Sequence, residues 1–427
     1  MTYEEAMAYI HSVNWLGSRP GLERITVLCE KLGHPEKDLR FIHVGGTNGK
    51  GSFCCMLSNI LREAGYKTGL YTSPYIERFN ERMQINGCPI GDEELAELTA
   101  EVKAVADTMD DPPTEFELIT ALCFLYFRNN RCDWVVLEVG LGGRLDSTNI
   151  IPPPALAVIT GIDFDHTALL GDTSARIAAE KAGIIKASCP VLFGEGDDDA
   201  ERVIREKTET ESGRYTRTDY TKITDVQLYP DKTVFSYGAY RHLTLHLLGL
   251  YQLNNAANVL TAVELLREEG LVLPEDAVAA GLAGARWPAR FEKLMDEPLV
   301  FYDGAHNPQG IRGAVQNIRQ YLSPLQDDGK VTLCMGVLRD KDFPDMIGQL
   351  APLAAKVFTV TPDNPRALPA AETAQVFREG GAEAQAADSL EQGVQNALAF
   401  ARDNGRPLVV LGSLYIYGDV KKALGIA

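Results

Sequence analysis

The sequence lacks the features that direct a chain to a membrane or to nucleic acid. No uninterrupted apolar stretch approaches the roughly 18 residues that a membrane-spanning helix needs. The N-terminal residues MTYEEAMAYI contain neither the basic region nor the apolar region of a signal peptide. The formal net charge is −18 and no long Lys/Arg run occurs, so the attraction that governs nucleic-acid binding is missing. We expect a cytoplasmic protein with no membrane partner and no nucleic-acid partner.

The cysteines lack the spacing of the common metal sites. The eight cysteines form no CxxC pair, and no histidine follows them at zinc-finger spacing. We therefore expect reduced, buried thiols. The length of 427 residues is enough for roughly two to three domains.

The order of apolar and amphipathic segments predicts an α/β fold. The runs FIHVGG, CDWVVLEVGLGG and ALAVITGID have the continuous apolar character of buried parallel strands, and helical segments separate them. Between about residues 190 and 250 the sequence becomes acidic, polar and β-branched, which predicts a small antiparallel subregion. A second series of strands begins near residue 291. We predict a larger domain over 1–286 with a mainly parallel sheet, and a smaller Rossmann-like α/β domain over 287–427.

A glycine-rich segment between a predicted strand and a predicted helix carries the strongest chemical signal. It reads Gly45-Gly46-Thr47-Asn48-Gly49-Lys50-Gly51-Ser52. Glycines allow the tight turns whose N–H groups face anionic oxygens, and Lys50 can reach the β- and γ-phosphates of a nucleotide. The segment departs from the general pattern GxxxxGK[ST], because it is one residue shorter before Lys50 and has Gly51 before Ser52. A glycine-rich turn without a ligand would contain similar residues, but the strand-to-helix context favours a P-loop.

The whole chain resembles one enzyme family. HVGGTNGKGS is similar to the signature of the folylpolyglutamate synthase and bifunctional dihydrofolate synthase family, within the Mur-type ligases. Further segments follow in family order: TSPYIERFNERMQING (72–87), EVGLGGRLDSTN (138–149), GIDFDHTALLGDT (161–173), EKAGIIK (180–186), WPARFE (287–292), DGAHNPQG (303–310), RDKD (339–342) and GSLYIYGD (412–419). The resemblance implies an ATP-dependent ligase that adds L-glutamate to a folate through an acyl phosphate, with ATP and one or two Mg²⁺ ions.

The resemblance also implies a metal site. It assigns Ser73, Glu138 and His166 to the shell of a Mg²⁺ ion. For His166 alone a capping or core histidine would be the simpler interpretation, because Mg²⁺ prefers oxygen ligands. Lys181 corresponds to a lysine that related ligases can carbamylate into a ligand for a second Mg²⁺, and a salt-bridged or phosphate-facing lysine is the open alternative.

The remaining site residues are likewise those that the resemblance implies. The nucleotide contacts outside the P-loop are Gln252, Asn255, Arg290 and Asp303. The folate-facing residues are Pro74, Tyr75, Thr114 and Phe116. The glutamate-binding residues are His306 and Ser413. The catalytic set is Lys50, Lys181, His306 and Asp303.

The sequence leaves the acceptor open. Relatives commonly have SPH where this chain has Ser73-Pro74-Tyr75, so dihydropteroate, a folate that already carries glutamate, or both remain candidates. A Mur-type ligase for another carboxylate is an alternative, and so is a P-loop protein that uses ATP only as a switch. The motifs DGAHNPQG and RDKD speak against a switch, which needs no amino-acid acceptor site, although Asp340 and Asp342 equally suit helix N-caps. The resemblance favours a monomer whose partners are small molecules.

Overall fold

The computed structural model describes residues 1–13, 19–163 and 171–426. The chain divides into two compact units. The first contains Met1–Ile223, Tyr237–Tyr240 and Asn254–Ala285, and the second contains Thr224–Ser236, Arg241–Leu253 and Arg286–Ala427. The sequence-based division differs from this one, because it assigned the whole of 224–253 to the first domain.

The elements follow one another along the described residues in an α/β order. The helices are α1 (Tyr3–Ser12), α2 (Glu23–Lys31), α3 (Lys50–Glu63), α4 (Asp92–Ala106), α5 (Glu115–Asn129), α6 (Ser174–Ala182), α7 (Asp198–Thr210), α8 (Leu250–Glu268), α9 (Glu275–Gly284), α10 (Pro308–Asn317), α11 (Phe343–Leu350), α12 (Ala370–Glu379), α13 (Leu390–Asp403) and α14 (Tyr417–Leu424). The strands are β1 (Phe41–Gly45), β2 (Thr68–Tyr71), β3 (Met83–Ile85), β4 (Cys88–Pro89), β5 (Trp134–Glu138), β6 (Leu156–Gly161), β7 (Val191–Glu195), β8 (Tyr215–Arg217), β9 (Ile223–Tyr229), β10 (Lys232–Tyr237), β11 (Tyr240–Leu245), β12 (Glu292–Asp296), β13 (Leu299–Asp303), β14 (Val331–Met335), β15 (Ala354–Thr359), β16 (Ala384–Ala386) and β17 (Leu408–Leu411).

The first unit is built on one sheet with the strand order β4-β3-β2-β5-β1-β6-β7-β8. The central strands are parallel, and β3 and β4 add an antiparallel edge. Every residue of β1 and β5 is buried, as expected for strands that are covered on both faces. Because β1, β2, β5 and β6 are parallel, their carboxyl ends meet at one edge, where open α/β sheets bind ligands. The predicted fold class is confirmed.

The antiparallel subregion is smaller than the sequence indicated. The strands β9, β10 and β11 form a separate sheet in the order β11-β10-β9, and the two-residue connections between them make neighbours antiparallel. The prediction was wrong for residues 191–217, because β7 and β8 extend the parallel sheet. Short strands reveal their type through composition, but composition does not reveal which strand they pair with.

The second unit contains a sheet with the order β12-β13-β17-β14-β15-β16. All neighbouring pairs are parallel except β12 with β13. The register Asp303 to Leu411 and Met335 to Leu411 brings the carboxyl ends of β13, β14 and β17 to the same edge. Apolar side chains from the strands and from α10, α11 and α12 form its core. The predicted smaller α/β domain therefore has the expected ligand edge.

One hydrophobic core of the first unit surrounds α5. This helix is buried on most of its surface, from Glu117 to Phe127, and α1, α2 and α4 pack around it. All eight cysteines are free, and all but Cys88 are buried. None of the helices among the described residues combines the length and the apolar character needed to cross a membrane.

Candidate functional site

The P-loop is fixed in place by the end of β6. The Thr47 N–H donates to the Gly161 carbonyl at 2.8 Å, and the Thr47 hydroxyl donates to the Asp163 carbonyl at 3.1 Å. The Thr160 hydroxyl donates to the Asn48 carbonyl at 2.6 Å. Two neighbouring strands therefore determine the shape of the loop before any ligand contact is considered.

Two loop glycines have backbone conformations and neighbours that leave no room for a side chain. Gly46 has φ +140°, and a Cβ atom there would lie 2.1 Å from Thr160 Oγ1. Gly49 has φ +83°, and a Cβ atom there would lie 2.3 Å from Asn255 Oδ1. Gly49 is also the N-cap of α3, so no capping side chain covers the first-turn N–H groups, which can face an anion. The predicted contact residue Asn255 thus lies directly against the loop.

Two lysines converge on one carbonyl oxygen of the loop. Lys50 Nζ donates to the carbonyls of Gly46 at 3.0 Å and Thr47 at 3.1 Å. Lys181 Nζ, from α6, donates to the same Gly46 oxygen at 2.9 Å, and Lys181 is only 4% exposed. Two ammonium groups that share one acceptor repel each other, and a polyanion between them would relieve that repulsion. Lys50 and Lys181, 131 positions apart in the sequence, are therefore neighbours at the loop.

An oxygen-rich group lies at the same edge of the sheet. The Ser73 N–H donates to Glu138 Oε2 at 3.0 Å, so the loop after β2 meets the end of β5. Glu138 is 4% exposed, and the peptide bond between Ser73 and Pro74 is cis. The buried carboxylate of Glu138 and the hydroxyl that Ser73 carries on the adjoining loop are hard oxygen donors, which fit Mg²⁺. The third predicted ligand, His166, lies outside the described residues. Ser52 is buried in the first turn of α3.

A cavity of about 490 Å³ opens beside this edge. Its wall includes the loop 140–147 after β5 and the first turn of α5, with the predicted folate-facing residues Thr114 and Phe116. The Phe116 ring lies against Gly140, where a Cβ atom would be 2.4 Å from the ring. Gly143 packs against the carbonyl oxygen of Lys181, 3.0 Å from an added Cβ. The cavity wall is therefore in contact with the helix that carries Lys181.

The first turn of α5 is held by a buried ion pair. Thr114 and Glu117 form a capping box, in which the Thr114 N–H donates to Glu117 Oε2 at 2.7 Å. The same carboxylate pairs with Arg24 of α2 at 3.0 Å, and the two side chains are 2% and 8% exposed. The capping box and the ion pair together hold the first turn of α5, which carries Phe116 at the cavity.

A buried carboxylate forms part of the cavity wall. Asp146 accepts hydrogen bonds from the Leu141 N–H at 2.8 Å, the Thr148 N–H at 3.0 Å and the Thr148 hydroxyl at 2.5 Å. Burial raises the pKa of Asp146, and these donors oppose the increase. Because the Thr148 hydroxyl donates to Asp146, the neighbouring His43 Nε2 at 2.9 Å must be a donor. Burial lowers the pKa of His43 to about 3, so this imidazole is neutral.

The loop after β2 reaches the cavity through an arginine. Tyr75 is 37% exposed, and the guanidinium of Arg82 lies over its ring with a distance of 5.2 Å to the centroid. The same guanidinium lies 5.7 Å from the ring centroid of Phe79. Arg82 lines the cavity, whereas Pro74 and Tyr75 do not. The assignment of Pro74 and Tyr75 to the folate stays a prediction, and Arg82 is the residue of this loop that lines the cavity.

The second unit has its own charged group at the carboxyl ends of its strands. Asp303, at the end of β13, is 5% exposed and accepts from the Ala305 N–H at 2.9 Å. Burial raises the pKa of Asp303 to about 6, and the positive charge of Arg290 opposes that increase. Arg290 and Asp303, which were each predicted to contact the nucleotide, therefore interact within the second unit. Gln252, in α8, has no exposed surface.

The residues predicted to bind glutamate follow the same strands. His306 Nδ1 lies 2.8 Å from the Gly304 carbonyl, and since a carbonyl only accepts, Nδ1 carries the proton in the neutral ring. Ser413 caps a short 3₁₀ helix by accepting from the Tyr415 N–H at 3.2 Å. Of the RDKD carboxylates, Asp342 is the N-cap of α11 and Asp340 pairs with Arg366 at 3.1 Å.

The structure brings Lys50, Lys181, Ser73, Glu138 and Asn255 to one edge of the first unit, and the cavity beside them contains Thr114 and Phe116. Sequence reasoning did not select Arg82, Asp146 or the pair Arg24 and Glu117. The first two lie inside the segments 72–87 and 138–149 that carry the family resemblance. Their charged side chains beside glycines and aromatic residues were the available signal.

Comparisons with known proteins agree with this geometry. Residues 44–263 match the model of the Mur ligase middle domain, and residues 289–414 match that of the Mur ligase glutamate ligase domain. The chain is 39% identical to the folylpolyglutamate synthase of Lacticaseibacillus casei over 438 residues, which cover 99% of each protein. It is 36% identical to the dihydrofolate synthase/folylpolyglutamate synthase of Bacillus subtilis over 436 residues, again 99% of each.

A solved structure extends the similarity to the fold. The Mycobacterium tuberculosis folylpolyglutamate synthase complexed with ADP and AMPPCP aligns with a TM-score of 0.87 at 29% identity, over 99% of both chains. Family models, full-length relatives and the fold thus lead to the same result. The chain belongs to the folylpolyglutamate synthase family of the Mur ligases.

Proposed function

We propose that this protein is an ATP-dependent ligase that joins L-glutamate to the carboxylate of a folate, and also to that of dihydropteroate. The observation that carries the proposal is the convergence of Lys50 and Lys181 on the Gly46 carbonyl. Positive charge and helix N–H groups are concentrated there, beside a cavity of about 490 Å³ that is large enough for part of a folate. The relative complexed with ADP and AMPPCP supports ATP as the phosphate donor.

The reaction needs an activated acid, because the oxygen of a carboxylate is a poor leaving group. Transfer of the γ-phosphoryl group of ATP to the carboxylate gives an acyl phosphate. The neutral amine of glutamate then attacks the carbonyl carbon to give a tetrahedral intermediate. When this intermediate collapses, phosphate departs and the product is an amide. Lys50 and the N–H groups at the start of α3 bind the phosphate oxygens, where negative charge develops during transfer. Lys181, from α6, adds a second positive charge at the same place.

Mg²⁺ fits the oxygen donors of the first unit. Ser73 and Glu138 would hold the ion, with His166 as the further ligand that the family resemblance implies. When bound, Mg²⁺ neutralises charge on the transferring phosphoryl group. Carbamylation of Lys181 would turn a cation into an anionic ligand for a second ion, and it would also remove the repulsion between two ammonium groups on one oxygen.

In this proposal the second unit carries residues for the nucleotide and for glutamate. Arg290, Asp303 and Gln252 contact the nucleotide, and Asn255 of the first unit, which lies against the P-loop, adds a polar contact to it. His306 and Ser413 bind the incoming glutamate. With Nδ1 bonded to the Gly304 carbonyl, His306 Nε2 in the neutral ring is an acceptor and suits an ammonium or amine hydrogen. The division of labour between residues 1–286 and 287–427 and the monomeric state belong to the same proposal.

Incubation of the purified protein with MgATP, glutamate and either tetrahydrofolate or dihydropteroate tests the proposal. Phosphate release and product mass are followed together. A gain of one glutamate residue on tetrahydrofolate establishes the polyglutamylating activity, and the same gain on dihydropteroate establishes the second activity. Lys50→Ala should reduce the rate with both acids by about 10²- to 10³-fold, because charge stabilisation at the phosphoryl group is lost. Phosphate release without a mass gain on either acid would leave a ligase scaffold with a different acceptor.

A further inference from the structure

Three arginines line the cavity of the first unit, and they differ in their partners. Arg19 pairs with Asp111 at 2.9 Å, and Arg144 pairs with Glu180 at 2.9 Å. Arg82 makes no ion pair with any carboxylate in the described ranges 1–13, 19–163 and 171–426. Its positive charge is therefore the one that the described protein atoms around the cavity do not neutralise.

The surroundings of Arg82 fix its position without satisfying its donors. The guanidinium lies over the rings of Tyr75 and Phe79, with centroid distances of 5.2 and 5.7 Å. Arg82 Nε is buried and has no hydrogen-bond partner among the described residues. A buried guanidinium N–H that lacks an acceptor is costly, so the protein atoms leave the donor capacity of Arg82 incompletely used. The two aromatic rings hold the planar group in place, and its terminal N–H groups can donate to a ligand.

The acidic residues of the cavity do not compete for Arg82, because each has another partner. These pairs are Glu115 with His11, Glu117 with Arg24, Glu180 with Arg144, and Asp146 with Thr148. The cavity consequently presents one cation, Arg82, that suits a carboxylate. A ligand with an anionic group matches this distribution of charge.

We propose that Arg82 binds the α-carboxylate of the glutamate already attached to a folate, and so distinguishes folates from dihydropteroate. This inference rests on the proposed function. Dihydropteroate has a single carboxylate, which is the one that reacts. A folate has a second carboxylate that does not react and needs a partner in the site. The planar fork of Arg82 can form two parallel hydrogen bonds with that group, which a lysine cannot do.

Two acids that differ in that one carboxylate test the proposal. The first is tetrahydrofolate, and the second is tetrahydropteroyl-4-aminobutyrate, which keeps the terminal carboxylate but lacks the α-carboxylate. For the wild-type protein, the KM for tetrahydrofolate should be about 10- to 100-fold lower than the KM for the second acid, because tetrahydrofolate gains a charge-assisted hydrogen bond to Arg82. Arg82→Gln should raise the KM for tetrahydrofolate to the value for the second acid, with kcat changed less than about 3-fold. Arg82→Lys should retain part of the preference.

Arg78→Gln is the matched control. Arg78 lies in the same loop, pairs with Asp92 at 2.9 Å and is 61% exposed, so its loss should leave the preference unchanged. If Arg82→Gln raised the KM values for both acids by the same factor, Arg82 would only support Tyr75 and Phe79, and the proposal would be abandoned. An unchanged preference would overturn it as well.

The binding of folic acid and of pteroyl-4-aminobutyrate, measured by titration calorimetry without ATP, separates this proposal from the proposed function. Suppose that the wild-type protein transfers no glutamate but binds folic acid more tightly than pteroyl-4-aminobutyrate, and that Arg82→Gln removes this difference. The role of Arg82 then stands while the ligase assignment fails. If transfer occurs and the two acids bind the wild-type protein equally, the ligase assignment stands and the role of Arg82 fails.

Discussion

The carboxylate of Asp303 should reduce the stability of the second unit at neutral pH. Its pKa is about 6 in the folded chain, against 3.8 for an ordinary aspartate, because burial disfavours the charged form. Below about pH 4 both the folded and the unfolded chain hold the proton, and the group has no effect. As the pH rises towards 6, the unfolded chain releases the proton first, so the free energy of unfolding falls. Above pH 6 the loss is complete.

The size of this effect follows from the shift of about two pKa units. Since one unit corresponds to about 1.4 kcal/mol, the cost grows from about 1 kcal/mol near pH 4.5 to about 3 kcal/mol near pH 7.5. The variant Asp303→Asn has no charge to bury but loses the attraction of Arg290. We expect Asp303→Asn to be more stable than the wild type near pH 7.5 by about 1 to 3 kcal/mol. The advantage should shrink by about 2 kcal/mol near pH 4.5.

Urea unfolding of the full-length protein, followed by circular dichroism at both pH values, measures this difference. Subtracting the free energy of unfolding of the wild type from that of the variant at each pH removes the contribution of all other titrating groups. Asp328→Asn is a control of opposite sign, because Arg406 lowers the pKa of Asp328 to about 2. That pair contributes stability at neutral pH which is lost as the pH falls towards 2. A variant Asp303→Asn that is no more stable near pH 7.5, or whose advantage is the same at both pH values, would refute the reasoning.

Three further predictions concern the first unit. Gly49→Ala should reduce ATP affinity at least 10-fold in calorimetric titration, because the added Cβ would lie 2.3 Å from Asn255 Oδ1 at a φ of +83°. Gly91→Ala is the control and should bind ATP normally, because an added Cβ there has nothing within 4 Å and φ is −68°. Glu117→Gln should destabilise the protein by about 3 kcal/mol in thermal unfolding, because buried Arg24 loses its buried carboxylate partner and keeps only the longer ion pair with the exposed Asp111 at 3.7 Å. An unchanged melting temperature would contradict this. Omission of CO₂ and bicarbonate from the assay should lower the rate if Lys181 is carbamylated, and bicarbonate should restore it; intact-protein mass and rate that are both insensitive to bicarbonate would exclude the modification.

Much of the fold could be predicted from the sequence, because periodicity reports on local structure. The apolar run around β5 and the strongly apolar α5 were identified for this reason. Strand pairing depends on contacts between distant segments, so β7 and β8 could not be assigned to the parallel sheet in advance.

The candidate site shows the same contrast. The P-loop is a continuous motif and could be recognised directly, while the position of Lys181 beside Lys50 became visible only in three dimensions. Arg82 was missed for a physical reason. What distinguishes it from Arg19 and Arg144 is the absence of a carboxylate partner among the described residues, and the letter R does not reveal its neighbours.

The neighbours of the two loop glycines have a consequence for protein engineering. Gly46 is enclosed by Thr160 and Gly49 by Asn255, and these two residues come from β6 and α8. The motif is thus a composite of segments more than 200 positions apart, from Gly46 to Asn255. A graft of the eight-residue segment 45–52 into another strand-loop-helix scaffold would leave its shape undefined, and a transplantable version must carry the threonine and the asparagine with it.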